Sequence, residues 1–224
     1  MESRGFPAGG ARRVVAGFET RSASGCGKDP MTKPEGLRAV DGLMLSAEHR
    51  AALRPGEAVT DENGSRHHLP RFFFEVPSWE EAHTISVATH FTLSELITVD
   101  SREAELLLRT FPHYVPCAIL ALARYLEDFR REVDAPVFIS ANGGYRSPAH
   151  RINKCVSLHS WGTAADIHRV GDTYLDDEKS IARYAEIAAS LGAEVRVRPY
   201  QEGDDHLQVD LGYLTIVPRE CSES

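Results

Sequence analysis

No stretch of this chain approaches the ~18 consecutive apolar residues that a membrane-spanning helix needs, and no Cys-x-x-Cys pair marks a ribbon-type structural zinc site. Basic charge is also short. Lys and Arg number 25 against 33 Asp and Glu, a net charge of −8, which argues against nucleic acid as a partner because phosphate binding needs a basic face. The N-terminus lacks the apolar core of roughly 7–15 residues that an export signal carries. The first thirty residues are rich in Gly, Ser, Arg and Ala without periodicity and are expected to be disordered, or to be upstream sequence ahead of a start at Met31; disorder is expected over residues 1–35. The 4 cysteines, Cys26, Cys117, Cys155 and Cys221, are scattered. Cys155 lies four residues before His159 and reads as a partly buried thiol rather than a ligand. A Cys117–Cys155 disulfide stays open, because spacing alone does not decide it.

What is present is an ordinary globular composition across 224 residues, enough to bury a core without disulfides. Residues 36–80 read as a mixed N-terminal extension. "SAEHRAALRPGE" predicts a short helix stopped by Pro55-Gly56, Asn63-Gly64 marks a tight turn, and "RFFFEVP" predicts a strand ended by Pro77. His67 and His68 are adjacent, so on a strand they would face opposite ways; they are expected to be exposed loop histidines. The segment could cover a sheet edge or a cleft wall.

The main domain is expected over residues 81–220. Thr92 and Glu95 have capping-box spacing. "SREAELLLRTF" predicts a short helix. Ile119, Leu122, Leu126, Phe129 and Val133 recur at steps of three and four, the mark of a helix with one apolar face. "APVFISAN" and "GTAADIHRV" read as strands, joined by a turn in which Gly143 and Gly144 are free to take positive φ. A helix follows, with Asp176 near its start and Gly192 as its stop, then the strands "AEVRVRP" and "HLQVDLGY". Helices first, then strands interleaved with one more helix, predict an α+β fold: a small antiparallel sheet packed against helices.

The chemistry concentrates in "SLHSWGTAADIH" and "GDDHLQVDLGY". His159 and Asp166 supply an imidazole and a carboxylate, with Gly162 between them for a tight turn and small Ala164 and Ala165 alongside. A catalytic zinc takes three protein ligands and keeps one position open. The third would come from the distal strand, from His206, Gln208 or a nearby carboxylate. His168, two residues beyond Asp166, shares its face on a regular strand and reads as a neighbour of the site or a bland residue. His83, His90, His113 and His150 read as structural or exposed.

Ser157, His159, Gly162, Ala164 and Asp166 fit the pattern S-x-H-x-x-G-x-A-x-D. Here the chain resembles the zinc D-alanyl-D-alanine carboxypeptidases and related peptidoglycan peptidases, which share a fold with the Hedgehog signalling domain. "NGGYRSPAH" is similar to the Gly-Tyr-Arg-Ser-Pro segment preceding that signature, "HFTLSEL" to the opening segment, and "DDHLQVDLGY" to the closing Asp-His-x-His-x-Asp segment. The resemblance spans about residues 90–217 and leaves residues 1–80 outside. It implies a Hedgehog/DD-peptidase-like fold, with His159 and Asp166 as ligands to Zn2+ and Asp205 as general base. It further implies that Arg146 holds an oxyanion or carboxylate, with Ser157 and Tyr145 helping to bind substrate. The implied partner is a peptide or peptidoglycan fragment, and the family's role implies a periplasmic or extracellular place.

One position departs from the pattern. Gln208 stands where the family has its third zinc-binding histidine. Glutamine offers a neutral amide oxygen where zinc prefers imidazole or thiolate. His206 shares its strand face and is the fallback ligand, but on a regular strand it sits about 6–7 Å away from position 208, so it serves only after a slip or a bend. Two function classes follow: a D,D-carboxypeptidase or endopeptidase with weakened metal binding, or an inactive peptidase-fold module that binds a peptide or cell-wall fragment.

Overall fold

A computed structural model describes residues 34–97, 106–152 and 157–218. Cys26, Cys155, Cys221 and the first part of "SREAELLLRTF" lie outside the described residues, as does nearly all of the segment 1–35. The architecture is α+β: among the described residues, twelve short strands in small antiparallel sheets, with four α-helices.

Residues 36–80 do not stand apart as an extension. Strands β1 (Arg38–Asp41) and β4 (Phe72–Val76) are joined through helix α1 (Ala47–Leu53) and the hairpin β2 (Ala58–Thr60)–β3 (Arg66–His68). β4 then pairs antiparallel with β7 (His113–Pro116), Phe74 opposite Val115, giving a sheet ordered β1-β4-β7. Leu37, Phe74 and Val76 enter the same hydrophobic cluster as the rest of the chain. α2 (Trp79–Thr84), capped by Ser78, leads into the small pair β5 (Ser86–Ala88)–β6 (Phe91–Thr92) and a 3-10 turn at Leu93–Leu96. There Glu95 accepts the backbone N–H of Thr92 at 2.7 Å, the reciprocal half of the expected capping box.

Helix α3 (Ile119–Val133) is the central packing element. Ile119, Leu122, Leu126 and Phe129 are fully buried, as their spacing predicts, and Val133 packs at the margin. Burying four such side chains contributes about 1.5–3 kcal/mol each before chain entropy is counted. Asp134 closes the helix in the left-handed conformation. β8 (Val137–Ile139), β9 (Ala164–Val170), β10 (Thr173–Tyr174), β11 (Arg196–Val197) and β12 (Leu207–Asp210) form the second sheet, with β9 at its centre.

Helix α4 (Glu178–Ser190) is capped by Asp177, which accepts from the amides of Lys179 and Ser180; Asp176 lies one residue further out. α3 and α4 cover one face of this sheet, where Ala165, Ile167, Leu207 and Val209 point into the core. Alternation sends Ala164, Asp166, Gln208 and Asp210 to the other face. Among the described residues no helix is long and apolar enough to cross a membrane.

Candidate functional site

Register fixes the floor of the site. β9 and β12 pair antiparallel with Gln208 opposite Asp166 and Asp210 opposite Ala164. Directly opposed residues share a face with Cβ atoms about 4.5–5.5 Å apart. Gln208 therefore sits beside Asp166, where the resemblance places its missing histidine.

The main chain around Asp166 is held from the neighbouring turn. Its N–H donates to Gly143 O at 3.0 Å, and its carbonyl accepts from Ser140 N at 2.9 Å. This contact is why glycine stands at 143. A Cβ there would lie 2.6 Å from Asp166 O and 2.9 Å from Asp166 Cβ. Neither Gly143 nor Gly144 has positive φ, so close approach, not the expected conformational freedom, selects glycine here. At Gly144 a Cβ would drive into the Leu96 carbonyl.

His159 sits on a 3-10 turn, Leu158–Trp161, that ends at Gly162 with φ +68. Ser157 caps that turn, its Oγ accepting from His159 N at 3.4 Å; the hydroxyl is thus engaged in shaping the loop. The imidazole is buried, with Nδ1 2.9 Å from Gly144 O. A carbonyl only accepts, so Nδ1 carries the proton, and in the neutral ring Nε2 presents a lone pair. That Nε2 lies 3.3 Å from Asp166 Oδ1, yet among the described residues neither atom has a hydrogen-bond partner.

His206 completes the picture in an unexpected way. It precedes β12 in a bend rather than on a regular strand. The bend carries its Nε2 to 3.6 Å from Asp166 Oδ1. Nδ1 of the same ring lies 2.7 Å from Asp205 Oδ1; a carboxylate only accepts, so Nδ1–H donates and Nε2 is again a lone pair in the neutral ring. Asp205 is 85% exposed and touches the site through His206. Arg146 approaches Asp166 from the other side, Nη1 to Oδ2 3.6 Å, and also donates to the Asn142 carbonyl.

The charges are coupled. Burial pushes the Asp166 carboxyl up, but His159, His206 and Arg146 outweigh it and hold the group below its ordinary range. Burial draws the Arg146 guanidinium down, opposed by Asp166. Asp210, buried beneath the same face and accepting from Gly212 N at 2.8 Å, is pushed up by desolvation.

Tyr145, a residue the resemblance assigns to substrate, is buried. Its ring belongs to the hydrophobic cluster, and burial pushes its hydroxyl well above the ordinary tyrosine range. His67 and His68 lie on strand β3 rather than in a loop: His67 contacts Asp61 and stacks on Tyr213 with centroids 3.5 Å apart, and His68 Nδ1 lies 3.0 Å from Gly56 O. His90 is tied to Glu127 at 2.7 Å, and His113 stacks on Phe111. Two residues near the site carry no signal in the motif: Arg198, 3.4 Å from His206 Nε2, and Asp204, which holds Arg198 at 2.9 Å.

Among the described residues no group of three or more His, Cys, Asp or Glu side chains is placed to hold a metal ion. Two donor pairs nevertheless approach each other at separations that a shared metal ion would set. Ligands about 2.0–2.1 Å from a tetrahedral zinc are about 3.3–3.4 Å apart, close to the His159–Asp166 and His206–Asp166 separations of 3.3 and 3.6 Å. With both rings neutral, the two Nε2 atoms and Asp166 Oδ1 would face one another as acceptors, an arrangement that a bound cation would satisfy beside the Arg146 and Arg198 guanidiniums already near them.

No family model, no curated protein and no solved structure matches this chain.

Proposed function

We propose that the chain is a metal-dependent peptidase of the D,D-carboxypeptidase/endopeptidase type, with a Hedgehog/DD-peptidase-like fold, acting on peptidoglycan stem peptides. The observation that carries the proposal is the meeting of His159 Nε2, Asp166 Oδ1 and His206 Nε2, two of them buried without hydrogen-bond partners. These three would hold Zn2+, with the Gln208 position beside Asp166 as a neighbouring amide. When bound, the ion would supply Lewis-acid polarisation of the scissile carbonyl and activation of water.

The chain's own groups take the remaining roles. Gly144 O and Asp205 Oδ1 fix the two rings in the tautomer that presents Nε2. Asp205, exposed and bonded to the His206 edge that faces away from Asp166, would serve as the general base implied by the resemblance once its carboxylate swings off His206 toward the substrate. Arg146 keeps Asp166 ionised and offers a cation to charge developing on the substrate. Ser157 shapes the loop that carries His159.

A second reading, an inactive module that binds a peptide or cell-wall fragment, is favoured by Gln208 and by the hydrogen bond that engages the Asp205 carboxylate on His206. The test is zinc content by elemental analysis of the full chain, together with release of D-alanine from a synthetic peptide ending in D-Ala-D-Ala. Stoichiometric zinc with release supports the enzyme. Zinc or cleavage appearing only in Gln208→His supports the binding module, and neither in either protein removes the peptidase reading.

A further inference from the structure

We infer that Arg198 is a substrate-binding residue that receives a carboxylate, the C-terminal α-carboxylate of a peptide lying across His206 and Asp166. The inference rests on the peptide-site reading above and adds a residue that the motif pattern does not contain. Arg198 follows edge strand β11, where its backbone N–H donates to Gln208 O at 3.1 Å. It therefore stands beside Gln208, one strand further from Asp166 than Gln208 itself. Its Nη2 lies 2.9 Å from Asp204 Oδ1 and 3.4 Å from His206 Nε2. Asp204 is itself anchored, accepting from Gln201 N at 2.7 Å, so the guanidinium is held by a fixed carboxylate.

Two cations thus stand in this region, Arg146 on Asp166 and Arg198 on His206 and Asp204, and they differ in access. The Arg146 side chain is 10% exposed and committed to Asp166 and the Asn142 carbonyl. The Arg198 side chain is 31% exposed. Among the described residues the Nε of each is buried without a hydrogen-bond partner, so exposure is what separates them. A guanidinium has five N–H donors in a planar fork suited to bidentate carboxylate binding. Asp204 engages Nη2, and the exposed part of the fork keeps N–H donors that an incoming carboxylate can accept from.

The experiment is a calorimetric titration of the full chain with a dipeptide acid, D-Ala-D-Ala, and with its C-terminal amide, for the unaltered protein, Arg198→Gln and Arg198→Lys. The unaltered protein is expected to prefer the acid by about tenfold, the size of one charge-assisted contact. Arg198→Gln should bind acid and amide equally, and Arg198→Lys should retain part of the preference. Circular dichroism and zinc content of the variants should match the unaltered chain. Equal binding of acid and amide by the unaltered protein, or an undiminished preference in Arg198→Gln, overturns the assignment. An Arg198-dependent preference in a protein that neither holds zinc nor cleaves keeps this assignment while removing the peptidase reading. Cleavage of acid and amide substrates with equal KM does the reverse.

Discussion

Gln208 lies directly across the β9–β12 ladder from Asp166, while the imidazole that reaches the Asp166 carboxylate comes from two residues earlier. The ladder position and the ligand position have separated. On the metal-site reading proposed above, the third donor would depend on the bend before Leu207, not on the strand itself.

His206→Ala should therefore weaken zinc binding by at least about 100-fold, since it removes one of three donors. Gln208→Ala should change it less than about tenfold. Chelator-competition titrations of the two variants check the ordering. Equal losses in both would place the third donor at position 208, and a loss confined to Gln208→Ala would return the site to the family pattern.

Asp205 is tied to the ring nitrogen of His206 that faces away from Asp166. Asp205→Asn replaces the acceptor by a group that can also donate, loosening the tautomer that presents Nε2. Zinc affinity should fall by about 10–100-fold, more than for Asp204→Asn, whose carboxylate contacts Arg198 instead. If Asp205→Asn binds zinc normally yet cannot cleave, its part is proton transfer alone.

Much of the local structure was legible before any coordinates. The apolar steps from Ile119 to Phe129, the Ser-x-His…Asp loop and the terminal strand all rest on short-range spacing, and the alternation of Leu207 and Val209 against Gln208 and Asp210 follows from the pleat. Long-range pairing was not legible. β4 finds β7 across about forty residues, so residues 36–80 looked like an extension when they share the core. Gly143 and Gly144 read as turn residues because a sequence shows conformational freedom but not which backbone will press against it. Tyr145 sat inside a binding motif, yet its ring packs in the core. His206 sits in a bend before β12, in contact with Asp205 and Arg198, and no pairwise spacing announces it.

His113 gives a pH signature unrelated to the site. Burial among Trp79 and Phe111 pulls its pKa from 6.5 to about 4. Between these two values the unfolded chain binds a proton that the folded chain refuses, so the folded state loses stability as pH falls through that window. Above it the group contributes no pH dependence. The loss is up to about 1.4 kcal/mol per pH unit and about 3 kcal/mol in all. His113→Phe keeps the ring stack and removes the titration. Urea unfolding from pH 7 to 4 should show a shallower decline for the variant. Identical slopes would mean that His113 takes up its proton in the folded protein.

Gly143→Ala tests whether the turn positions Asp166. The added methyl would meet the Asp166 carbonyl and Cβ at 2.6 and 2.9 Å, too close for ordinary packing, so either the turn or β9 must shift. Overpacking of this kind costs about 1–3 kcal/mol. A shift of β9 moves Asp166 Oδ1 relative to His159 and His206, so zinc affinity should fall alongside stability. A remote core variant separates the two effects. Leu122→Ala, at a fully buried position of α3, should cost about 2–5 kcal/mol while the folded protein binds zinc as before. If Gly143→Ala lowers the unfolding temperature but leaves zinc affinity like that of Leu122→Ala, the turn serves stability alone, and the geometry at Asp166 is set by β12 instead.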